Sequence, residues 1–122
     1  INDQVESGNN VIVTGDWNTA HHPIDLARPK ANLKTSGFMP IERERLDTYV
    51  AHGWKDTFRE FHEEGDRYSW WSYRFGVRDR NVGWRIDYFF VSEGMFDMCI
   101  DADIHSNIFG SDHCPISLIL DI

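Results

Sequence analysis

Short β-branched and aromatic runs alternate with polar, turn-forming stretches along this chain, a pattern that predicts strands joined by loops. The strongest run covers residues 81–91 and predicts a buried central strand with a carboxylate, Asp87, in its middle. Weaker runs predict further strands at 11–14, 68–73, 99–106 and 115–120. Residues 92–97 are predicted to form a turn after the central strand.

One amphipathic helix is predicted to begin at Pro40 and to end before Gly53, because proline suits a first helical position and glycine suits a helix end. Its apolar stripe consists of Ile41, Leu46, Tyr49 and Val50. A second, short helical segment is predicted over residues 56–61, with Asp56 as its N-terminal cap. The sequence assigns no chemistry to the first helix.

Asp87 is the anomaly of the central strand. Side chains alternate along a strand, so Arg85, Asp87 and Phe89 share one face. The opposite, apolar face consists of Trp84, Ile86, Tyr88 and Phe90. A charged carboxylate in so apolar a strand is costly unless it is paired, hydrogen-bonded or bound to a metal. We therefore predict that Asp87 lies at the rim of the strand, in a site. The alternative is a structural ion pair with Arg85 or another arginine.

Composition and charge narrow the class of protein. The 122 residues are 41% hydrophobic, so we expect residues 1–122 to form a single unit with a core. The chain starts at Ile1 and has no signal segment or bilayer-length apolar run, so we expect a cut N-terminus, a soluble protein and no membrane partner. Two cysteines without zinc spacing favour a reduced, cytoplasmic compartment. The net charge of −8 argues against strong nonspecific DNA binding, although gathered acidic residues could form a metal site.

Polar residues follow or precede three of the predicted strands. Asp16 and Asn18 come after the strand at 11–14 and would project to the same side if the chain stays extended; the alternative is an Asx turn that only closes the strand. Asp112 and His113 precede the last strand. Several carboxylates, one histidine and no serine or cysteine nucleophile motif indicate metal-assisted hydrolysis, with Mg²⁺ or Mn²⁺ as the ion that suits carboxylate oxygens. His113 could be held in one tautomer by Asp87.

Two further stretches are candidates for substrate contacts. Lys30 and Asn32 lie in a loop-like region that could grip a phosphate backbone, although a solvated loop is the commoner explanation. Trp70 lies in the aromatic run and Arg74 in the arginine-containing loop after it, a combination that can stack on bases or sugars and clamp phosphates. The alternative is that the tryptophans fill the core.

The motifs together resemble a known family. Residues 15–18, 81–88 and 110–115, in this order and spacing, look like the C-terminal half of the exonuclease III type of abasic-site DNA endonuclease, within the endonuclease/exonuclease/phosphatase superfamily. Residues 24–30 and 37–40 resemble it too, so the match covers nearly the whole chain from Val11. The motifs at 15–18 and 111–113 are shared with deoxyribonuclease I and with lipid phosphodiesterases, and the stretch at 82–88 narrows the resemblance to DNA repair.

The resemblance implies an α/β (α+β) fold, the C-terminal half of a four-layer αββα sandwich, with one mostly antiparallel mixed sheet and helices on one face. It also implies roles. Asp16 would orient or deprotonate the attacking water, Asn18 would hold water or phosphate, and His113, paired with Asp87, would contact the phosphate. Asp112, with Asp16, would serve the metal. The residues that match the abasic-sugar pocket are Trp70, Trp84 and Ile86, and Trp70 stands where the family often has phenylalanine.

The family's first sheet supplies further metal and active-site residues, and nothing before Val11 can do so here. We therefore expect half of an active site, inactive alone, whose partners are double-stranded DNA with abasic sites and the missing N-terminal half of the same protein. The expected activity is magnesium-dependent cleavage at abasic sites, with 3′→5′ exonuclease activity left open, in the cytoplasm or at the nucleoid of a prokaryote. The alternatives are a phosphodiesterase acting on a phospholipid or phosphoinositide, and a non-catalytic DNA-binding fragment.

Overall fold

The computed structural model describes residues 10–121, and its strands form two antiparallel sheets. In the first sheet, β1 (Ile12–Asp16) and β2 (Lys55–Asp56) both pair with β3 (Asp87–Val91), which lies between them. In the second sheet, β4 (Cys99–Ile104) pairs with β5 (Ile116–Leu120). The predicted α/β class with antiparallel pairing is confirmed, while the single mixed sheet that was expected is divided in two.

The aromatic run at 68–73 explains this division. It was predicted to be a strand, but it forms an extended connection with isolated bridges from Trp70 to Trp84 and to His113. Trp71 N–H donates to Asp112 O at 3.0 Å, while Ser69 O accepts from Cys114 N–H at 2.9 Å. The run therefore lies between the residues that lead into β3 on one side and those that lead into β5 on the other.

The central strand is shorter than its hydrophobic run. Asn81 adopts a left-handed φ of 54°, and Arg85 N–H donates to Asp25 O rather than to a neighbouring strand. The ladder of β3 begins only at Asp87, so this carboxylate lies at the strand's rim as predicted. Cα pairing in the ladder sets Asp87 opposite Asp16, the last residue of β1.

The helices lie close to their predicted positions, but the predicted apolar face of the first helix is mostly exposed. Helix α1 covers Pro40–Ala51, α2 covers Thr57–Phe61, and α3 covers Glu93–Phe96 inside the predicted turn. Of the predicted stripe on α1 only Leu46 is buried; Ile41 is 59% exposed and Val50 43%. The stripe was therefore largely wrong: Leu46 packs in the buried cluster of Trp54, Tyr88 and Phe90, while the other members are at least 36% exposed. No helix within residues 10–121 is long and apolar enough to cross a membrane.

A charged cluster is buried beneath the site. Arg85 and Asp25 are both fully buried, and Asp56 is 8% exposed. Arg85 donates through Nε to Asp25 at 2.8 Å and through Nη1 to Asp56 at 2.9 Å, and Arg59 also donates to Asp25. Asp56 occupies the predicted cap position of α2, but its carboxylate faces Arg85 and makes no capping bond. The predicted cap is wrong for that reason.

The hydroxyl of Tyr88 fixes the chain that follows β1. It donates to Thr19 O at 2.7 Å and accepts from His21 N–H at 3.1 Å. Burial is the main reason that the pKa of Tyr88 lies well above its ordinary value, so the hydroxyl keeps its proton. The two hydrogen bonds of this hydroxyl, together with the bond from Arg85 to Asp25, hold the segment that follows Asn18 against β3.

Candidate active site

Two neighbouring strand ends present carboxylates at one edge of the first sheet. Asp16 ends β1, Asp87 begins β3, and their Cα atoms are paired in the ladder. The hydroxyl of Ser69 accepts the N–H groups of Ile86 and Asp87, at 3.1 and 3.2 Å, at the point where the strand begins. The Asp87 side chain is 14% exposed and that of Asp16 is 37% exposed, so the two differ in access to water.

His113 comes from the loop before β5 and meets both carboxylates. Its Nδ1 lies 2.8 Å from Asp87 Oδ2, and its Nε2 lies 3.6 Å from Asp16 Oδ2. The sequence predicted the first of these contacts. The alternative, an ion pair between Asp87 and Arg85, is not what forms, since Arg85 bonds to Asp25 and Asp56.

The charges around the imidazole favour its protonated form. Burial alone would lower the pKa of His113, but the hydrogen bond and charge of Asp87, together with the charges of Asp16 and Asp112, raise it above the ordinary histidine value. With Asp87 as acceptor, Nδ1 carries a proton, and the Nε2 side of the ring faces Asp16. A cationic imidazole in this position can meet a phosphate oxygen.

Asp112 is held by two donors beside His113. Its Oδ2 accepts from the indole Nε1 of Trp70 at 3.1 Å, and its Oδ1 lies 3.3 Å from the hydroxyl of Ser111. The Trp70 hydrogen bond is the largest influence on the pKa of Asp112, and the pKa is lowered overall. Asp112 therefore stays ionised with a fixed orientation.

Asn18 and Asp16 are joined by an Asx-turn hydrogen bond. Asn18 N–H donates to Asp16 Oδ1 at 2.8 Å, and Asn18 adopts a left-handed φ of 53°. The chain does not stay extended through Asn18, so the condition for both side chains to project to one side is not met and the alternative, an Asx turn, forms. The turn and the site coexist, since the other oxygen of Asp16 still faces His113.

An open cavity of about 790 Å³ adjoins these groups. Trp70 and Trp84 form adjacent walls, with ring centroids 6.5 Å apart and planes at 81°, and Ile86 lies in the floor. Its lining residues are Asn18, Thr35, Ser36, Gly37, Trp70, Ser72, Val77, Val82, Trp84, Ile86, Asp112 and His113. Two indole rings and three aliphatic side chains thus share the cavity with convergent polar groups, a combination that small-molecule sites use.

Three residues that the sequence proposed for substrate contact lie outside the cavity lining. Lys30 and Arg74 are exposed on the surface. The side-chain amide of Asn32 donates to Arg28 O at 2.7 Å and so stabilises its own turn. The structure does not bring these residues to the carboxylates.

Sequence reasoning missed four polar residues at the site. Ser69 holds the start of β3, and Thr35, Ser36 and Ser72 line the cavity. Ser69 carried a detectable signal, since it is a small polar residue in the middle of an aromatic run. Thr35 and Ser36 belong to the loop-like region that was a candidate for phosphate contact through Lys30 and Asn32, and nothing in the pattern marked these two residues.

The donor atoms suit a hard divalent cation in part. Within residues 10–121, Asp16, Asp87 and His113 are the group of potential ligands whose donor atoms all lie within 4.8 Å of one another. Asp87 Oδ2 and His113 Nδ1 already bond to each other, and Asp16 Oδ1 accepts from Asn18 N–H, which leaves Asp16 Oδ2 as the oxygen of that carboxylate that faces His113. The predicted metal ligand Asp112 lies beside this group and not in it. Carboxylate oxygens are the donors that Mg²⁺ and Mn²⁺ prefer.

Comparisons with known proteins show which proteins the chain is similar to. The chain is 50% identical over 113 residues to the exodeoxyribonuclease of Bacillus subtilis, covering 92% of this chain and 45% of that protein. It is 43% identical over 115 residues to the DNA-(apurinic or apyrimidinic site) endonuclease of Dictyostelium discoideum, covering 92% and 32%. Among solved structures, the 3′ phosphatase NExo from Neisseria, bound to product DNA, superposes with a TM-score of 0.91 at 26% identity, covering 98% and 48%.

The chain thus spans less than half the length of these relatives. The model of the endonuclease/exonuclease/phosphatase family matches residues 1–113, which is most of the sequence. The chain belongs to the endonuclease/exonuclease/phosphatase family.

Proposed function

We propose that this chain supplies one half of the active site of a magnesium-dependent DNA phosphodiesterase that cleaves at abasic sites in base-excision repair. One observation carries the proposal: the bonded pair of Asp87 and His113 faces Asp16 at the polar end of a cavity walled by Trp70 and Trp84. A phosphate at the polar end would leave its sugar against the indole rings. 3′→5′ exonuclease activity would use the same groups on a chain end.

The roles follow from charge and position. Asp87 keeps His113 in one tautomer and favours its cationic form, so that the imidazolium can bind a phosphate oxygen as negative charge develops. Asp16 Oδ2, which lies 3.6 Å from His113 Nε2, can orient or deprotonate the attacking water. Asn18 lines the cavity and offers an amide that can hold that water or the phosphate.

Asp112 and Asp16 are the residues that would hold the metal ion. When bound, Mg²⁺ would neutralise phosphate charge and help to position the phosphate. The hydrogen bonds from Trp70 and Ser111 keep the Asp112 carboxylate in one orientation for that purpose. Because Mg²⁺ favours near-octahedral coordination, these carboxylates alone would bind it weakly.

The aromatic walls favour an abasic nucleotide over a lipid headgroup. Indole rings can pack on the C–H surface of a deoxyribose that has no base. A highly charged headgroup would require cationic side chains, and none of the twelve residues that line the cavity is lysine or arginine. The proteins that are similar to this chain carry names of DNA enzymes. Lys30, Asn32 and Arg74 lie outside the cavity, and we assign them to duplex phosphates away from the cleaved bond.

Full activity is proposed to need a second half-domain, because the chain spans less than half of its relatives. The test is a chimera in which this chain replaces the matching segment of the Bacillus subtilis exodeoxyribonuclease, assayed with Mg²⁺ on a duplex with one abasic site. We expect nicking by the chimera and, from the 122-residue chain alone, a rate lower by orders of magnitude.

Two controls define the substrate. An intact duplex should be nicked far more slowly than the abasic duplex, and a phosphoinositide should not be hydrolysed. A chimera that hydrolyses the phosphoinositide and leaves abasic DNA intact would contradict the proposal. Robust nicking by a monomeric 122-residue chain would contradict the half-site part of it.

A further inference from the structure

The loop that connects β4 to the site is mainly exposed. Residues 106–111 are all exposed, with Ile108 at 49% and Phe109 at 72%. Within the loop, Ile108 N–H donates to His105 O at 3.1 Å. The loop leads directly to Asp112 and His113, so any movement of its backbone would displace both groups.

Arg78 reaches this loop from the arginine-containing segment before the central strand. Its Nη1 donates to Ser111 O at 3.1 Å, and its Nη2 donates to Ser106 O at 3.1 Å and to Ile108 O at 2.8 Å. Three carbonyls from the start, middle and end of one loop therefore converge on one guanidinium. Only arginine combines such a planar fork of donors with a permanent charge.

The faces of the same guanidinium are covered by rings. Its central carbon lies 4.5 Å from the ring centroid of Trp71 and 4.2 Å from that of Phe109, and its Nε is buried. Phe109 belongs to the loop, so the stacking adds to the hydrogen bonds. The neighbouring Arg74 and Arg80 are exposed instead. Arg78 is thus turned inward and has few donors left for a DNA phosphate.

Trp71 completes the attachment at the site end of the loop. Its backbone N–H donates to Asp112 O at 3.0 Å. Asp112 lies between Ser111, whose carbonyl accepts from Arg78, and His113. We propose that Arg78 is a positioning residue, which clamps residues 106–111 and thereby holds Asp112 and His113 at the Asp87 carboxylate. The structural part of this inference stands alone; its catalytic consequence rests on the proposed function.

The structural part is tested by amide hydrogen exchange on the 122-residue chain carrying Arg78→Lys. Lysine keeps the charge but cannot bond three carbonyls or stack as a plane. We expect exchange at the amides of Ile108, His113 and Trp71 to accelerate by about tenfold or more, while β3 amides keep their protection. Arg80→Lys, the same change at an exposed neighbour, should leave exchange in the loop unchanged.

Two results would overturn the clamp. Unchanged exchange at those three amides would show that the loop is held without Arg78. Acceleration by the same factor throughout β3 would show a general loss of stability with no local role.

The catalytic consequence is tested in the chimera with Arg78→Lys. Misplaced groups that act in the transition state lower kcat, so we expect kcat to fall about tenfold or more with KM within about twofold. A raised KM at unchanged kcat would assign Arg78 to DNA binding and overturn the positioning role. If the unaltered chimera has no nicking activity, the proposed function fails, while the exchange measurement still decides whether Arg78 clamps the loop.

Discussion

Arg85→Met should remove a large part of the protein's stability, because it leaves buried carboxylates without their cation. Arg85 makes two bonds to Asp56 and one to Asp25 and is fully buried. Asp25 keeps Arg59 at 2.7 Å, so Asp56 carries most of the uncompensated charge. Removing one partner of a buried pair costs about 3–5 kcal/mol, against a total of about 5–15 kcal/mol for a domain.

Urea unfolding at neutral pH measures this cost, and a second variant identifies its cause. If the cost comes from stranded charge, Arg85→Met combined with Asp56→Asn should recover more than half of the loss, since the remaining amide carries no charge. A single variant within about 1 kcal/mol of the parent would refute the reasoning. So would a double variant that is less stable than the single one, because lost packing would then be the cause.

The pH dependence gives a second check on the same cluster. Burial would raise the pKa of Asp25, but Arg85 and Arg59 lower it overall. A lowered folded-state pKa stabilises the protein above the unfolded-state value, and this stabilisation is lost as the pH falls through the folded-state value. In Arg85→Met the stranded carboxylates gain by protonation, so its stability deficit should narrow as the pH falls. A deficit that widens on acidification would contradict this account.

Two further outcomes can be checked on the 122-residue chain. In Gly83→Ala the new Cβ would lie 2.4 Å from Trp71 Nε1, so thermal unfolding should show that the free energy of unfolding falls by about 1–3 kcal/mol. In Gly94→Ala the nearest atom to the new Cβ lies 3.7 Å away, so the free energy of unfolding should be nearly unchanged. In metal-free buffer, NMR should show that the pKa of His113 lies above the ordinary histidine value and that Asp87→Asn lowers it. The raised pKa stabilises the fold below the unfolded-state pKa, and that contribution is lost as the pH rises through the folded-state pKa.

The predictable parts of this fold have local causes. Helix α1 begins and ends where it was predicted to, because Pro40 and Gly53 favour a helix start and a helix end in the backbone next to them. Strand β1 follows a β-branched run, β4 an alternating stretch and β5 an aliphatic run, each next to turn residues. Asp87 could be placed at a rim because a lone carboxylate in an apolar run has few acceptable positions.

The unpredictable parts depend on partners that are distant in the sequence. Arg85 bonds to Asp25 and Asp56, which are 60 and 29 residues away, and no local pattern marks them as its partners. Likewise, the three carbonyls held by Arg78 belong to a loop about 30 residues further along. Sequence pattern placed Arg78 in an arginine-containing loop suited to phosphates, but only the fold shows that this side chain turns inward.

The most direct test of the central claim is a double-mutant cycle in the chimera with Asp87→Ala, His113→Ala and both together. Asp87 and His113 act as one unit if their 2.8 Å contact is the functional one, so each single change should cost several kcal/mol of transition-state stabilisation, on the order of 10²–10³ in rate. The double variant should then be scarcely slower than either single variant. Losses that add up in the double variant would show that the two residues act separately and would contradict the account.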